Sequence, residues 1–301
     1  MTHGPLDDDA VESYRTAGAV LTEAVTEARS MVEPGRRQLA VAEWVEDFVR
    51  ESDAGLAFPV NLSVDAEASH ATPARDDETE FGEEMVCLDV GVHVDGYIAD
   101  AAVTVDHTDT PELVEAAEMA LEAAVDEAGP GVEVGVVGQA IEDVIRGYGY
   151  TPVLNLSGHG VERYDAHTGP TVPNRGVERS VELAPGQAVA IEPFATDGRG
   201  KVGEGTDEEI YELERSRSVR DRRARETLEA IEAFDDLPFA ARWLDGDRVT
   251  MSLRRLKQAN AIKGYPVLKE ADGALVSQAE HTLLITDDGV EVTTAGIHSF
   301  D

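Results

Sequence analysis

Residues 30–63 and 126–157 are two versions of one segment. Pro34-Gly35 matches Pro130-Gly131. Glu46-Asp47-Phe48-Val49-Arg50 matches Glu142-Asp143-Val144-Ile145-Arg146, and Asn61-Leu62-Ser63 matches Asn155-Leu156-Ser157, at an offset of 94 to 96 residues. Each copy reads as a helix (about 11–31 and 111–128), a Pro-Gly break, a second helix (about 37–51 and 136–147) and then a strand. The pattern predicts an α/β (α+β) fold of two like halves around an approximate two-fold axis. Equivalent positions then converge where the halves meet.

What converges is acidic. Residues 88–105 read LDVGVHVDGYIADAAVTV. Asp95-Gly96 is a two-residue hairpin turn, because both central positions tolerate positive φ. With that turn Val94 pairs with Tyr97, and Asp100 falls opposite Gly91. Asp89 and Asp100 become diagonal neighbours on one face, about 7–8 Å apart at Cα. The other face (Val90, Val92, Val94, Tyr97, Ala99, Ala101, Val103) is apolar and reads as core. Two unpaired carboxylates this close repel and are costly to bury, unless a cation lies between them or the face is solvated.

The repeat continues into these strands. Glu84-Met85-Val86-Cys87-Leu88-Asp89 resembles Gln187-Ala188-Val189-Ala190-Ile191-Glu192, and Ala99-Asp100-Ala101 resembles Ala279-Glu280-His281. Glu192 and Glu280 are therefore the counterparts of Asp89 and Asp100. The acids stand 11 residues apart in the first copy and 88 in the second, so an insertion has opened the second hairpin. Most of it, 206–262, reads as a polar, helical subdomain within a single domain spanning 1–301. Four carboxylates at matched positions are not what scattered structural acids produce.

Three of the eight histidines follow equivalent repeat strands: His70 after the first Asn-Leu-Ser, His159 and His167 after the second. His3 and His107 fall in turn-like stretches. Gly158 and Gly160 flank His159, which suits a close backbone approach. Four carboxylates and one neutral imidazole suit two divalent ions of the Mn, Fe, Co and Zn group better than one structural zinc, and calcium would not need the imidazole. Two such ions about 3.5–4 Å apart acidify water and polarise a carbonyl, the chemistry of amide or ester hydrolysis.

These motifs, with NLSGHGVERYDAHTGPTVPN, AIEPFAT and SQAEHTLLIT, closely resemble type II methionine aminopeptidases in their archaeal form, over nearly the whole chain. The resemblance implies a pita-bread fold, two pseudo-symmetric halves around a dinuclear metal site. It implies removal of the initiator methionine from nascent polypeptides whose second residue is small. Asp89, Asp100, His159, Glu192 and Glu280 match the metal ligands, with Glu192 also a proton shuttle. His70 matches a histidine that contacts the scissile amide, and His167 one that stabilises the tetrahedral oxyanion. Phe58 would help line the methionine pocket. The insertion corresponds to the helical subdomain that separates type II from type I. Ala166 departs from the pattern, standing where a bulkier apolar residue is common.

Two rivals share the fold. Prolidases and proline-specific aminopeptidases use the same five ligands but usually carry a large upstream domain, and 88 residues precede Asp89 here. A non-enzymatic pita-bread binding protein would have lost its ligands, and all five are present.

Composition bounds the setting. The chain carries 61 acids against 25 bases, a net charge of −36, spread along its whole length. Self-repulsion of this size destabilises a compact state unless screened, and molar salt shortens the Debye length to about 3 Å. The expectation is a halophilic protein of a very salty cytoplasm, with no affinity for nucleic acid in general. A single cysteine, Cys87, excludes an intramolecular disulfide. MTHGPLDDDA has neither a basic nor an apolar signal region, and no apolar run spans a bilayer. A cytoplasmic monomer is expected. The stretch RSRSVRDRRARE, 215–226, fits a transient ribosome contact, but the interleaved Glu214, Asp221 and Glu226 favour a solvated helix with its own ion pairs.

Overall fold

The computed structural model describes residues 6–215, 219–246, 248–298 and 300. His3 lies outside them. In the first half, α1 (Asp8–Arg29) and α2 (Gln38–Glu51) lead to β1 (Asn61–Val64), β2 (Met85–Val94) and β3 (Tyr97–Asp106). Asp7 caps α1, its side chain accepting from Ala10 N at 2.8 Å. The antiparallel strand β2 pairs with β3 on one edge, and with β1 and residues 55–56 on the other. Val90, Val92, Ala99, Ala101 and Val103 bury one face of this sheet against Leu21, Val25, Val41 and Val45 of the helices. This is the apolar hairpin face expected from sequence.

The second half repeats the plan with α3 (Pro111–Glu127), α4 (Val134–Gly147), β4 (Ser157–Glu162), β5 (Asp165–Pro173), β6 (Ala188–Ile191) and β7 (Phe194–Thr196). After the insertion come β11 (Val276–Gln278), β12 (His281–Ile285) and β13 (Val290–Val292). The sheet order is β13-β12-β6-β4-β5, with β7 pairing β11 beside it. Helices α3 and α4 cover this sheet as α1 and α2 cover the first, through Leu113, Leu121, Ile141 and Ile145. The fold is the mixed α/β, two-halved architecture that the repeat demands.

The insertion differs from its reading as a helical segment. It holds two helices, α5 (Arg222–Ile231) and α6 (Val249–Gln258), on a three-stranded antiparallel sheet. In that sheet β8 (Ile210–Leu213) lies between β9 (Phe239–Ala240) and β10 (Ile262–Tyr265). The physical reason is burial: Leu228, Ile231, Phe239, Leu253, Leu256 and Ile262 form a small core of their own, and strands of two to four residues leave no period to detect in sequence. Within 215–226 the helix begins only at Arg222, capped by Asp221, which accepts from Ala224 N at 3.0 Å. Arg217 lies outside the described residues. No helix among the described residues is long and apolar enough to cross a membrane.

Candidate metal centre

The hairpin turn is built as its sequence requires, with φ of 52° at Asp95 and 87° at Gly96. Val94 faces Tyr97 and Gly91 faces Asp100, so Asp89 and Asp100 are diagonal neighbours. Asp89 is 8% exposed and Asp100 3%, which rules out a solvated face. Gly91 is needed here because a Cβ would lie 2.3 Å from the Phe58 ring, which fills the space beside Asp100.

In the second half β6 and β12 pair with His281 opposite Ile191, and β7 and β11 pair with Phe194 opposite Gln278. The register is the same on both sides of the break, so Glu192 stands directly opposite Glu280. β4 threads between β6 and β5, and its glycines permit it. A Cβ on Gly158 would lie 2.3 Å from Ala190 O, and one on Gly160 2.2 Å from Gly169 O. His159, between them, brings its Nε2 to 3.9 Å from Asp100 Oδ2 and 3.7 Å from Glu192 Oε1. Asp100, His159 and Glu280 each offer a ligand atom within 4.8 Å of the others. His159 Nδ1 lies 3.2 Å from Gly160 O, so the proton belongs on Nδ1 and Nε2 carries the lone pair.

The electrostatics are those of an anionic pit. Burial pushes Asp89 up to about 7, with Gln278 pulling the other way. Burial and then the neighbouring acids push Asp100, Glu192 and Glu280 well above the carboxylate range. Burial holds His159 and His70 below the ordinary imidazole range. His167 is open to solvent on one side, yet protein crowding, then His159 and His70, hold it down as well. No lysine or arginine lines the cavity. Asp89 Oδ1 and Asp100 Oδ1 are buried without a hydrogen-bond partner. Uncompensated carboxylates with free lone pairs, beside a neutral imidazole, are what a divalent cation needs.

One cavity of about 190 Å³ contains the whole set. Phe58, His70, Asp89, Asp100, His159, His167, Glu192 and Glu280 all line it. His70 holds a left-handed φ of 64°, a conformation that costs a non-glycine residue roughly 1 kcal/mol or more and often marks a functional position. Its Nδ1 is 3.3 Å from Pro266 O. The His159 and His167 rings are 4.6 Å apart. Ala166 does not line the cavity; it is 3% exposed and packs with Tyr14, Val161 and Leu284.

Sequence reasoning missed several wall residues. Asn61 and Asn155 both line the cavity and were legible, being matched positions of the repeat. Gln278 was legible too, two residues before Glu280 on the same strand face; its Nε2 donates to Glu192 Oε2 at 3.2 Å and Glu280 Oε2 at 3.3 Å. Ile210, Pro238 and Tyr265 come from the insertion and its edge, with no spacing signal. The Tyr265 ring sits edge-on to His70 at 5.1 Å, and its hydroxyl donates to Glu212.

Fold and site together define a metal-dependent hydrolase. The profile of metallopeptidase family M24 matches residues 12–243, and the chain belongs to that family. The chain is 47% identical to a methionine aminopeptidase of Archaeoglobus fulgidus, covering 96% of this chain and 100% of that one. It is 43% identical to the enzyme of the same name from Methanocaldococcus jannaschii, with coverages of 96% and 100%. Among solved structures it is similar to a thermophilic Arx1, with a TM-score of 0.86 at 17% identity over 96% of this chain and 91% of that one. It is also similar to methionine aminopeptidase from Thermotoga maritima, with a TM-score of 0.72, 24% identity and coverages of 97% and 99%. A prolidase from Pyrococcus furiosus aligns with a TM-score of 0.62 at 18% identity, over 96% of this chain but 64% of its own. These solved structures establish the shared pita-bread fold.

Proposed function

We infer that this protein hydrolyses the first peptide bond of polypeptides that begin with methionine, releasing that residue. The observation that carries the reading is the pit of four uncompensated carboxylates, Asp89, Asp100 and Glu280 buried and Glu192 13% exposed at its side chain, with His159, in a chain 47% identical over nearly its full length to an archaeal methionine aminopeptidase. Asp89, Asp100, His159, Glu192 and Glu280 would hold two divalent ions, and the donor set accepts Co, Mn, Fe or Zn. When bound, the ions supply Lewis acidity toward the carbonyl and lower the pKa of water.

The remaining work falls to side chains. Glu192, whose proton affinity burial raises, takes a proton at its carboxylate from the water whose oxygen adds to the first peptide carbonyl, and returns it to the leaving amine as the C–N bond breaks. His70, with Nδ1 turned to Pro266 O, keeps Nε2 to accept from the scissile amide N–H. His167, neutral and beside His159, donates to the developing oxyanion, a contribution of several kcal/mol in such sites, about 3–4 by analogy with removal of one oxyanion donor. Phe58 gives an apolar wall that suits a thioether.

The substrates are N-termini of nascent polypeptides with a small second residue, and the setting is a salty cytoplasm in which the −36 charge is screened. Arg222 pairs with Glu226 at 2.8 Å and Arg255 with Asp221, which supports a solvated α5 over a ribosome contact. The test is a peptidase assay in molar KCl on protein stripped and reloaded with Co²⁺, Mn²⁺, Fe²⁺ or Zn²⁺. The substrates are Met-Ala-Ser, Met-Leu-Ser and Ala-Pro-Ser, with Glu192→Gln and His70→Ala alongside. Metal-dependent release of methionine from Met-Ala-Ser, lost in both variants, is expected. Cleavage of Ala-Pro-Ser instead, or no cleavage by folded protein with any metal, would overturn the reading.

A further inference from the structure

The two half-sheets meet along an antiparallel seam between β3 and the β11–β12 segment. Only one position on it has the ordinary backbone contact, Glu280 N donating to Ala102 O at 3.0 Å. Two residues away in each direction a threonine hydroxyl is inserted. Thr282 Oγ1 accepts from Asp100 N at 2.7 Å and donates to Asp100 O at 2.8 Å. Thr104 Oγ1 accepts from Gln278 N at 2.9 Å and donates to Gln278 O at 2.7 Å. Each hydroxyl satisfies both backbone groups of the residue across the seam and holds the strands apart by a side chain's width. Thr104 and Thr282 are each at most 3% exposed, so no solvent substitutes for them.

The residues held are those of the site. Asp100 belongs to the first half and Glu280 to the second, and their backbones are registered to one another across this seam, at Thr282 and Ala102. Thr282 is anchored in turn: its N donates to Thr294 Oγ1 at 3.2 Å, and its carbonyl accepts from Thr293 N at 2.9 Å.

We propose that Thr282 is a positioning residue that fixes the spacing between Asp100 and Glu280 across the two halves, and through it the affinity for divalent metal. The inference rests on the proposed metal site. Valine has the shape of threonine without the hydroxyl, so Thr282→Val leaves the Asp100 N–H and C=O buried and unpaired. Outer partners that orient metal ligands typically contribute 10- to 100-fold in affinity.

The experiment is calorimetric titration of metal-stripped protein with Mn²⁺ in molar KCl, for wild type, Thr282→Val, Thr282→Ser and Asp100→Asn. Hydrogen exchange of the 98–102 amides is read in the metal-free state. Expected are Mn²⁺ affinity about tenfold or more weaker in Thr282→Val, faster exchange at Asp100, and affinity within about twofold of wild type in Thr282→Ser. A purely structural threonine would lower the melting temperature and leave affinity per folded molecule unchanged. Wild-type affinity in folded Thr282→Val, whatever its exchange, would therefore overturn the proposal. If that variant does not fold, Thr282→Cys, whose thiol bonds weakly, takes its place with the same criteria. Failure of the wild type to bind Mn²⁺ would overturn the metal reading and this proposal together. Binding by the wild type that Asp100→Asn abolishes and Thr282→Val leaves intact would overturn this proposal alone.

Discussion

The insertion is fastened to the first half by a buried ion pair, and breaking it from one side has a calculable cost. Arg242 is 5% exposed at its side chain and Glu46, on α2, 3%. Arg242 donates to the Glu46 carboxylate, to Thr72 Oγ1 at 2.7 Å and to Pro73 O at 2.8 Å. Trp243 Nε1 donates to the same carboxylate at 2.8 Å, and Arg50 approaches it at 3.6 Å. Arg242→Met removes the main counter-charge and strands the acid in a dry site. Removing one partner of such a pair costs about 3–5 kcal/mol, against about 0–1 kcal/mol for an exposed pair. Replacing both partners, as Glu46→Leu with Arg242→Met, removes the stranded charge and restores most of the stability. Burial already lifts Glu46 above the carboxylate range, against the pull of Arg242, so losing Arg242 lifts it further. An acid with a raised native pKa stabilises at low pH and loses that contribution as pH rises through the native value, so the variant's deficit shrinks on acidification. Urea denaturation in molar KCl, followed by tryptophan fluorescence at neutral and mildly acidic pH, measures all of this. A deficit below about 1 kcal/mol, or one that molar salt erases as it would at a surface pair, refutes the argument.

Three further outcomes are expected. With metal removed, the four raised acids stabilise below about pH 4 and lose that contribution as pH rises, Asp89 through about 7 and Asp100, Glu192 and Glu280 through their own raised values, so the stripped protein melts lower at pH 8 than at pH 5; Mn²⁺ restores more at pH 8, and a slope unchanged by Asp100→Asn would contradict this. Gly18→Ala in α1 gains up to about 1 kcal/mol of helix propensity but sets a Cβ 2.0 Å from Thr293 O, an overpacking penalty of about 1–3 kcal/mol or more, so the thermal midpoint falls rather than rises. The charge of −36 predicts a melting temperature several degrees higher in molar than in 0.1 M KCl, read by calorimetry; equality would count against salt adaptation.

What could be read from the sequence divides along the range of the interactions. The hairpin register followed from Asp95-Gly96 because a two-residue turn fixes every pair behind it. The meeting of Asp89, Asp100, Glu192 and Glu280 followed from duplication, which carries long-range information that a single copy lacks. The insertion's sheet did not follow, since β8 pairs with β10 some 50 residues later over four-residue strands. The Glu46–Arg242 pair and Tyr265 were equally invisible. Each depends on a contact between segments that no repeat relates.

The duplication is also imperfect at the point where it matters. In the first half Asp89 and Asp100 lie diagonally on a continuous hairpin, whereas Glu192 and Glu280 stand opposite at a break in theirs. Pro193 accounts for the break: it has no N–H to continue the ladder, and its carbonyl accepts a long 3.3 Å contact from Ala279 N instead. Opposed acids repel more than diagonal ones, and Gln278 answers this by donating to both glutamates through one amide nitrogen. Gln278 reaches Asp89 as well, but Asp89 Oδ1 and Asp100 Oδ1 both stay buried without a partner. The glutamate end of the pit is therefore pre-bridged by the protein, while the aspartate end offers the unshared lone pairs. A bound cation gains most where the protein supplies least, so neutralising an aspartate should weaken metal binding more than neutralising a glutamate. Titration of Asp100→Asn against Glu280→Gln with Mn²⁺ measures this directly, and a larger loss in Glu280→Gln would reverse the assignment.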